Sequence, residues 1–387
     1  MVMRRLACFL VAALGLGFAQ TLTVVGPWSG SEAEEFLPVL RAFQQQTGIR
    51  VEYQVRRAED LAQILPAQFA ARRTVGDVIF MWSWWIGQNA RHAEDLRVQA
   101  QGVPFLLDTV RDGERVVGLP YVMFAKPGFW YRRSFFQRHG LSEPRSWEEF
   151  VALLDRIRAL PGVRAPIASG NGVGWPLSDV VEHFLATYGG PEMNLALMGG
   201  RLRWQDPRVR QVFAQRLIPL LERRHFSDPI EWTQALQLWW RGDYGLFFMG
   251  NWITGMVEDP ADLGVFPLPG ARAVVGGADY LFVPSYSPNA EAAKRLVAFL
   301  VSREGVELRV RQGGKLSMRA DVGPASYPPA EQALARALAG LRIIPDLDDT
   351  VGGAWQQAFW DQLKLLWVRP GALDDVLRTL DDRMPRR

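Results

Sequence analysis

"TLTVVGPWSGSEAEEFLPVLRAFQQQTGIRVEYQV", residues 21–55, decides the fold. Thr21 to Val25 reads as a strand and "GPWSG" as the turn that leaves it. Ser31 with Glu34 three residues on has the form of a capping box, and Phe36, Leu40 and Phe43 recur at helical spacing. Gly48 stops that helix, after which Ile49, Val51, Tyr53 and Val55 alternate as a second strand. A second helix, Glu59 to Arg72, leads into a third strand over 77–81. This β-α-β-α-β order predicts a parallel sheet covered on both faces. In such sheets the ligand crevice lies beyond the carboxyl ends of the strands. Trp28 follows the first strand and "WSWW" (82–85) follows the third. Trp28 and at least one of Trp82, Trp84 and Trp85 are therefore expected on one edge of the sheet.

Outward from this unit, composition sets the class. Arg4 and Arg5, an apolar run from Leu6 to Phe18 and the small residues at Gly17 and Ala19 form a signal-peptide pattern, with cleavage expected before Gln20. The run is too short for a spanning helix, which needs about 20 residues. Cleavage would remove Cys8, the only cysteine, and leave a chain without disulfides or thiolate metal sites. Net charge falls from +3 to +1 once Arg4 and Arg5 leave. No basic stripe stands out, which argues against nucleic acid. The remaining length favours two domains over one. The unusual feature is the 15 tryptophans.

The middle of the chain repeats the layout. Pro166 to Ser169 reads as a strand end followed by "GNGVGWPLSD" and a helix from Val180. Tyr244 to Phe248 is a strand opening onto "MGNWITG". Helices are expected over Glu291 to Ser302 and Ala330 to Ala339, and Trp355, Phe359, Gln362 and Leu366 share a face of a later one. "GNGVGW" is G-x-G-x-G rather than a dinucleotide loop and reads as a tight turn that lets a ligand approach the backbone. The four histidines are scattered and suggest no metal. "DLDDT" (346–350) lacks the rest of a calcium loop and reads as a solvated turn. Glu34, Glu35, Glu148 and Glu149 fall in first helical turns, where they complement the helix dipole. Ser146 with Glu149 forms a second capping box.

Trp147, Trp204, Trp239 and Trp367 sit in periodic apolar patterns and are expected in the core. Trp28, Trp175 and Trp252 stand beside glycines, where no core pattern claims them, and are expected to face ligand. An indole offers a flat apolar face on which the C–H face of a pyranose can stack, while carboxylates and amides take its hydroxyls. Asp279 follows Gly276-Gly277 with nothing basic nearby in sequence, and is expected to accept from sugar hydroxyls. The loops "GPWSG", "WSWWIG", "GNGVGWP", "MGNW" and "GGADY" contain no basic residue, which predicts an uncharged ligand, although Lys126 lies near the cleft.

With these segments in order, the chain resembles bacterial extracellular solute-binding proteins of the family 1 type, the group that includes maltose-binding proteins. The resemblance rests on "FQQQTGIRVEY", "GDVIFMW", "GLPYVMFAKPGFWYRRSFFQRHGLSEPRSWEEF", "RGDYGLFFMGNW", "GGADYLFVPSYSPNAEAAKRLVAFLVSREG" and the Pro345–Trp355 segment, and it covers the whole mature chain. It implies an α/β, two-lobed periplasmic-binding-protein fold, each lobe a mostly parallel sheet flanked by helices, with the ligand cleft between the lobes. By position, the lobes would be 20–123 with 284–322, and 124–283 with 323–387. Hinge crossings would fall near Tyr121–Lys126, Phe282–Ser285 and Met318–Pro328. Trp28, Ser29, the Met81–Trp85 loop with Trp82 and Trp84, Trp252, and Trp355 or a close neighbour match cleft-lining positions. Tyr121, Trp175, Asp179, Asp279 and Tyr280 resemble positions of the sugar-binding branch. "WSWW" stands where maltodextrin binders carry a carboxylate, and "GADY" differs from their hinge strand, which points to a mono- or disaccharide. The resemblance also implies a permease partner, a monomer, and no catalysis, metal or cofactor. The missing lipid-attachment cysteine implies a free periplasmic protein.

Two other classes share these features. A secreted glycosidase would need two carboxylates about 5–10 Å apart across the cleft, for which Asp179 and Asp279 are the candidates. A binder of glycerol phosphodiesters or other small polar solutes would use the same fold.

Overall fold

The computed structural model describes residues 20–103, 110–172, 174–338 and 340–385. The signal-peptide pattern and Cys8 lie outside the described residues. The opening unit has the expected form: strand β1 (Thr21–Gly26), helix Ser31–Thr47, β2 (Arg50–Val55), helix Ala58–Ala70 and β3 (Val78–Met81). β1 pairs in parallel with both β2 and β3. It therefore sits at the reversal of strand order, where the loops after β1 and β3 part and leave a crevice. The capping box at Ser31 does not form. Gly30 is the cap, with no side-chain bond, and Ser31 is already helical. At Ser146 the cap half of the box forms, its hydroxyl accepting from Glu149 N at 3.2 Å, while Glu149 Oε2 accepts at 2.7 Å from Arg145 N, one residue before the cap.

Two long strands carry the chain between the lobes. β4 (Leu119–Lys126) runs on into β5 (Gly128–Arg132), which belongs to the second lobe with β6 (Ala165–Ala168), β7 (Tyr244–Met249) and β8 (Leu263–Phe266). β9 (Ala273–Phe282) is shared. Its first residues pair in parallel with β10 (Arg342–Pro345), its last three pair antiparallel with β3, and β4 runs antiparallel along its length. Tyr280 to Phe282 therefore already pair with β3, ahead of the segment Phe282–Ser285.

The two sheets differ. The first has strand order β10-β9-β3-β1-β2, with β4 on β9. The second has order β8-β5-β7-β6. Only its β7–β6 pair is parallel, and β5 runs antiparallel to both neighbours. It is thus mixed rather than mostly parallel. Each lobe has its own apolar core, one built around Phe36, Phe43 and Leu296, the other around Phe150, Phe213 and Phe359. Trp204, Trp239 and Trp367 are buried in the second lobe and Trp147 packs partly buried against it, as their periodic patterns predict. Among the described residues no helix is long and apolar enough to cross a membrane.

Candidate functional site

A cavity of about 560 Å³ opens between the lobes, within the usual range for small-molecule sites. From the first lobe it is lined by the loop Pro27–Ser31 after β1, by Met81 and Trp82 after β3, and by Ala278, Asp279 and Tyr280 of β9. From the second lobe come Trp175, Trp232, Trp252 and Trp360. Six indoles thus meet one cavity; five arrive from strand ends or helix beginnings, and Trp360 from the middle of the helix Gly353–Val368. Successive residues of a regular strand face opposite sides, yet Asp279 and Tyr280 both reach the cavity. The register against β4 shifts between these two residues, leaving Tyr121 of β4 as the extra residue opposite them.

The first-lobe wall is rigid. Trp28 is 2% exposed and packs on Phe36 and Phe80 with ring centroids 4.8 and 4.6 Å away. Its backbone N–H donates to the Tyr53 hydroxyl at 2.9 Å, and that hydroxyl donates back to the Trp28 carbonyl at 3.0 Å. Tyr121 lies behind Trp28, fully buried at 6.2 Å, so it backs the wall and does not line it. The three rings of "WSWW" separate. Trp82 lines the cavity and Trp84 stacks on it at 5.5 Å, outside the lining. Trp85 enters the core against Phe69 and Phe282. They lie at the start of a helix, Ser83–Gln88, not in a loop.

In the second-lobe wall, Trp232, Trp175 and Trp252 form an edge-to-face chain, each neighbouring pair 5.6 Å apart. Trp175 and Trp232 are the first residues of their helices, Trp175–Phe184 and Trp232–Arg241. Trp232 was not singled out from the sequence, although a Trp directly at a helix start is the signal that it shares with Trp175. Of the glycines in "GNGVGW", Gly174 serves packing, while a Cβ on Gly172 would meet nothing within 4 Å. Gly174 has φ +129, and a Cβ there would stand 2.4 Å from Trp360 Cβ.

Trp355 is a correction. It is 2% exposed, stacks on Phe359 at 4.9 Å and donates its indole N–H to Leu380 O, inside the second-lobe core. Its neighbour Trp360, on another face of the helix Gly353–Val368, reaches the cavity instead and donates its indole N–H to Asp348.

Asp179 is a second correction. It is closed away at 1% exposure and ion-paired to Lys126, which also contacts Asp346. Asp346 and Asp348 belong to "DLDDT", which is therefore a buried structural element and not a solvated turn. The ammonium of Lys126 faces Asp179, Asp346, Asp348 and Glu182. Burial works against its charge, but these carboxylates outweigh burial and hold its pKa well above the ordinary lysine value. Asp346 stays ionised because Lys126 and hydrogen bonds outweigh its burial. Burial, helped by the Asp346 charge, pushes Glu182, Asp348 and Asp349 well up. Burial also takes Asp179 up to about 7 against the pull of Lys126. The cluster is one cation shared by several carboxylates, of which burial favours the protonated form in all but Asp346. Glu182, Asp346 and Asp348 bring oxygens within 4.8 Å of one another, a spacing that could hold a cation, but Lys126 already supplies positive charge there.

The other lysine of the cavity answers Asp279. Lys315 Nζ lies 3.0 Å from Asp279 Oδ2 and 4.0 Å from Glu32 Oε1, so a basic partner exists far away in sequence. Its ammonium also stands 5.5 Å from the Trp28 ring and 6.0 Å from the Trp252 ring, between indoles of opposite lobes. Burial raises the Glu32 pKa, with Lys315 opposing. Arg57 and Glu59 complete the charged rim, so the cavity contains three basic side chains where its loops alone contained none.

Similarity to known proteins agrees with this architecture. The family model of bacterial extracellular solute-binding proteins matches residues 29–307. An ABC transporter extracellular-binding protein of Pyrococcus horikoshii is 49% identical over 374 residues, covering 95% of this chain and 89% of that one. Maltose-bound MalE3 of T. maritima superposes with a TM-score of 0.79 at 20% identity, over 95% of this chain and 99% of that one. The bacterial solute receptor AcbH, described as having an exclusive preference for β-D-galactopyranose, superposes at 0.82 with 16% identity, over 94% and 98%.

Proposed function

The chain belongs to the bacterial extracellular solute-binding protein family, and on that premise we propose that its cleft takes a neutral mono- or disaccharide. The coarser role is that of the substrate-binding component of an ABC transporter, which is not an enzyme and works with permease subunits. One observation carries the finer reading: indoles of both lobes meet a cavity whose two lysines are already held by carboxylates of the same chain, with the third cation, Arg57, on its exposed rim near Glu59 and Glu32. Apolar ring faces and hydrogen-bonding groups without a free ammonium suit a sugar better than an anion. Trp28, Ser29, Trp82, Trp175, Trp252, Asp279 and Tyr280 are the proposed contacts, with Trp232 and Trp360 added. Tyr121 backs Trp28, and Asp179 holds Lys126. We place the protein in the periplasm as a free monomer with its signal peptide removed, and without nucleic-acid partners.

A thermal-shift screen of the purified protein against galactose, glucose, maltose, other disaccharides, glycerol phosphodiesters and inorganic phosphate tests this reading. A neutral sugar should raise the melting temperature and change tryptophan fluorescence. A response confined to the phosphate compounds would overturn it.

A further inference from the structure

Trp84 does not line the cavity, yet it joins the two lobes beside it. It belongs to the helix Ser83–Gln88 of the first lobe. Its indole lies against Gly352, which links the helices Leu347–Val351 and Gly353–Val368 of the second lobe. A Cβ on Gly352 would stand 2.6 Å from Trp84 Cδ2 and 2.7 Å from its Cγ. On its other side the ring stacks on Trp82, with centroids 5.5 Å apart and planes 14° from parallel. Trp82 in turn lines the cavity and packs against the core of the second lobe. The Trp84 Nε1 is buried without a hydrogen-bond partner, a desolvation cost that a ring kept for its polar atom would not carry. The ring supplies flat area and thickness.

We propose that Trp84 is a positioning residue: wedged between Trp82 and Gly352, it couples the angle between the lobes to the placement of the Trp82 wall. This rests on reading the cleft as the ligand site. A ligand that touches Trp82 then gains that contact only in the lobe arrangement that carries the wedge, so the wedge contributes to affinity without touching ligand. Gly352 is required twice over. Its φ of +66 is in the left-handed region, and its missing Cβ is what admits the indole.

The next residue provides the control. Gly353 has φ +59, but nothing stands within 4 Å of a Cβ placed there. Gly353→Ala therefore strains the backbone at a positive φ without displacing Trp84, whereas Gly352→Ala strains a φ +66, ψ −167 backbone and displaces the ring as well. Close indole pairs give exciton couplets in circular dichroism, and the wild-type minus Trp84→Phe difference spectrum separates the Trp82–Trp84 couplet of the ligand-free protein from those of the other pairs. The couplet should persist in Gly353→Ala and collapse in Gly352→Ala. For whichever neutral sugar the thermal-shift screen identifies, Gly352→Ala should weaken affinity about tenfold relative to Gly353→Ala, a typical coupling between linked elements. Trp84→Phe, which keeps a ring against Gly352, should retain most of the affinity that Trp84→Ala loses, and serves if Gly352→Ala does not fold. Equal couplets in the two glycine variants, or equal affinities in Trp84→Phe and Trp84→Ala, would overturn the wedge. Absence of any sugar response would instead sink the ligand reading, while the couplet comparison would still decide the wedge.

Discussion

Two lysines reach the same cavity and are held in opposite ways. Lys126, at the end of β4, is enclosed with Asp179 and Asp346, whose side chains are 1% and 3% exposed. Lys315 is as buried itself, but its partners Asp279 and Glu32 keep 20% and 14% of their side chains exposed and sit on the lining. Lys126 and Asp346 also touch the cavity, but with almost no exposed surface, so that cation chiefly serves the fold of the second lobe, whereas the Lys315 corner keeps carboxylate surface available to a solute. The difference lies in the partners: a carboxylate that keeps part of its surface can exchange water for ligand hydroxyls, whereas a sealed one can only lose stability when disturbed.

That contrast breaks most readily at Lys126. Lys126→Ala leaves buried carboxylates around a lost cation and should cost about 3–5 kcal/mol of folding stability in urea denaturation, as removal of one partner from a buried pair does. Lys315→Ala should cost clearly less stability. Equal losses would erase the distinction between the corners. At the second corner, Asp279→Ala should weaken binding of the identified sugar by about 1.5–3 kcal/mol, the range for hydrogen bonds to a charged group, with Asp279→Asn losing less. Calorimetry showing no change in either variant would make the Asp279–Lys315 pair structural too.

The sealed lobe also contains His183, which is fully buried, accepts from Leu268 N through Nε2 and has a pKa lowered by burial to about 3. Its folded pKa lies below the ordinary histidine value, so the unfolded chain binds the extra proton first. The stability contributed is complete above about pH 6.5 and is lost as pH falls towards 3. Between pH 7 and pH 5 this amounts to about 2 kcal/mol, and His183→Gln should show a correspondingly flatter pH dependence of unfolding. An unchanged slope would show that other groups dominate acid sensitivity. The smallest effect is expected from salt. With both lysines internally paired, affinity measured by calorimetry from about 20 to 500 mM NaCl should stay within roughly twofold, and a steep fall would mark an anionic ligand.

Much of the first lobe was legible, because βαβ alternation is local and each of its helices and strands carries its own period. The convergence of Trp28 with Trp82 followed from strand order. The phase of the helix Gly353–Val368 was not legible: Trp355, Phe359, Trp360, Leu363, Leu366 and Trp367 are all buried, so periodicity marks no single inward face. The family resemblance pointed to Trp355 or a close neighbour at the cleft, and Trp360 is the one that stands there. Likewise "DLDDT" has the composition of a solvated turn, and only Lys126, 220 residues away from Asp346, makes it an interior element.

What the sequence determined by itself was therefore the local grammar: strands, helices, the crevice edge and the indoles that end there, since these depend on neighbours within a few positions. Tertiary structure alone decided which charges meet, which of three adjacent tryptophans faces the cavity, and which glycine admits a ring from the opposite lobe. Ion pairing and ring packing act over a few ångströms in space, and no local pattern records which distant residues the fold brings within that reach.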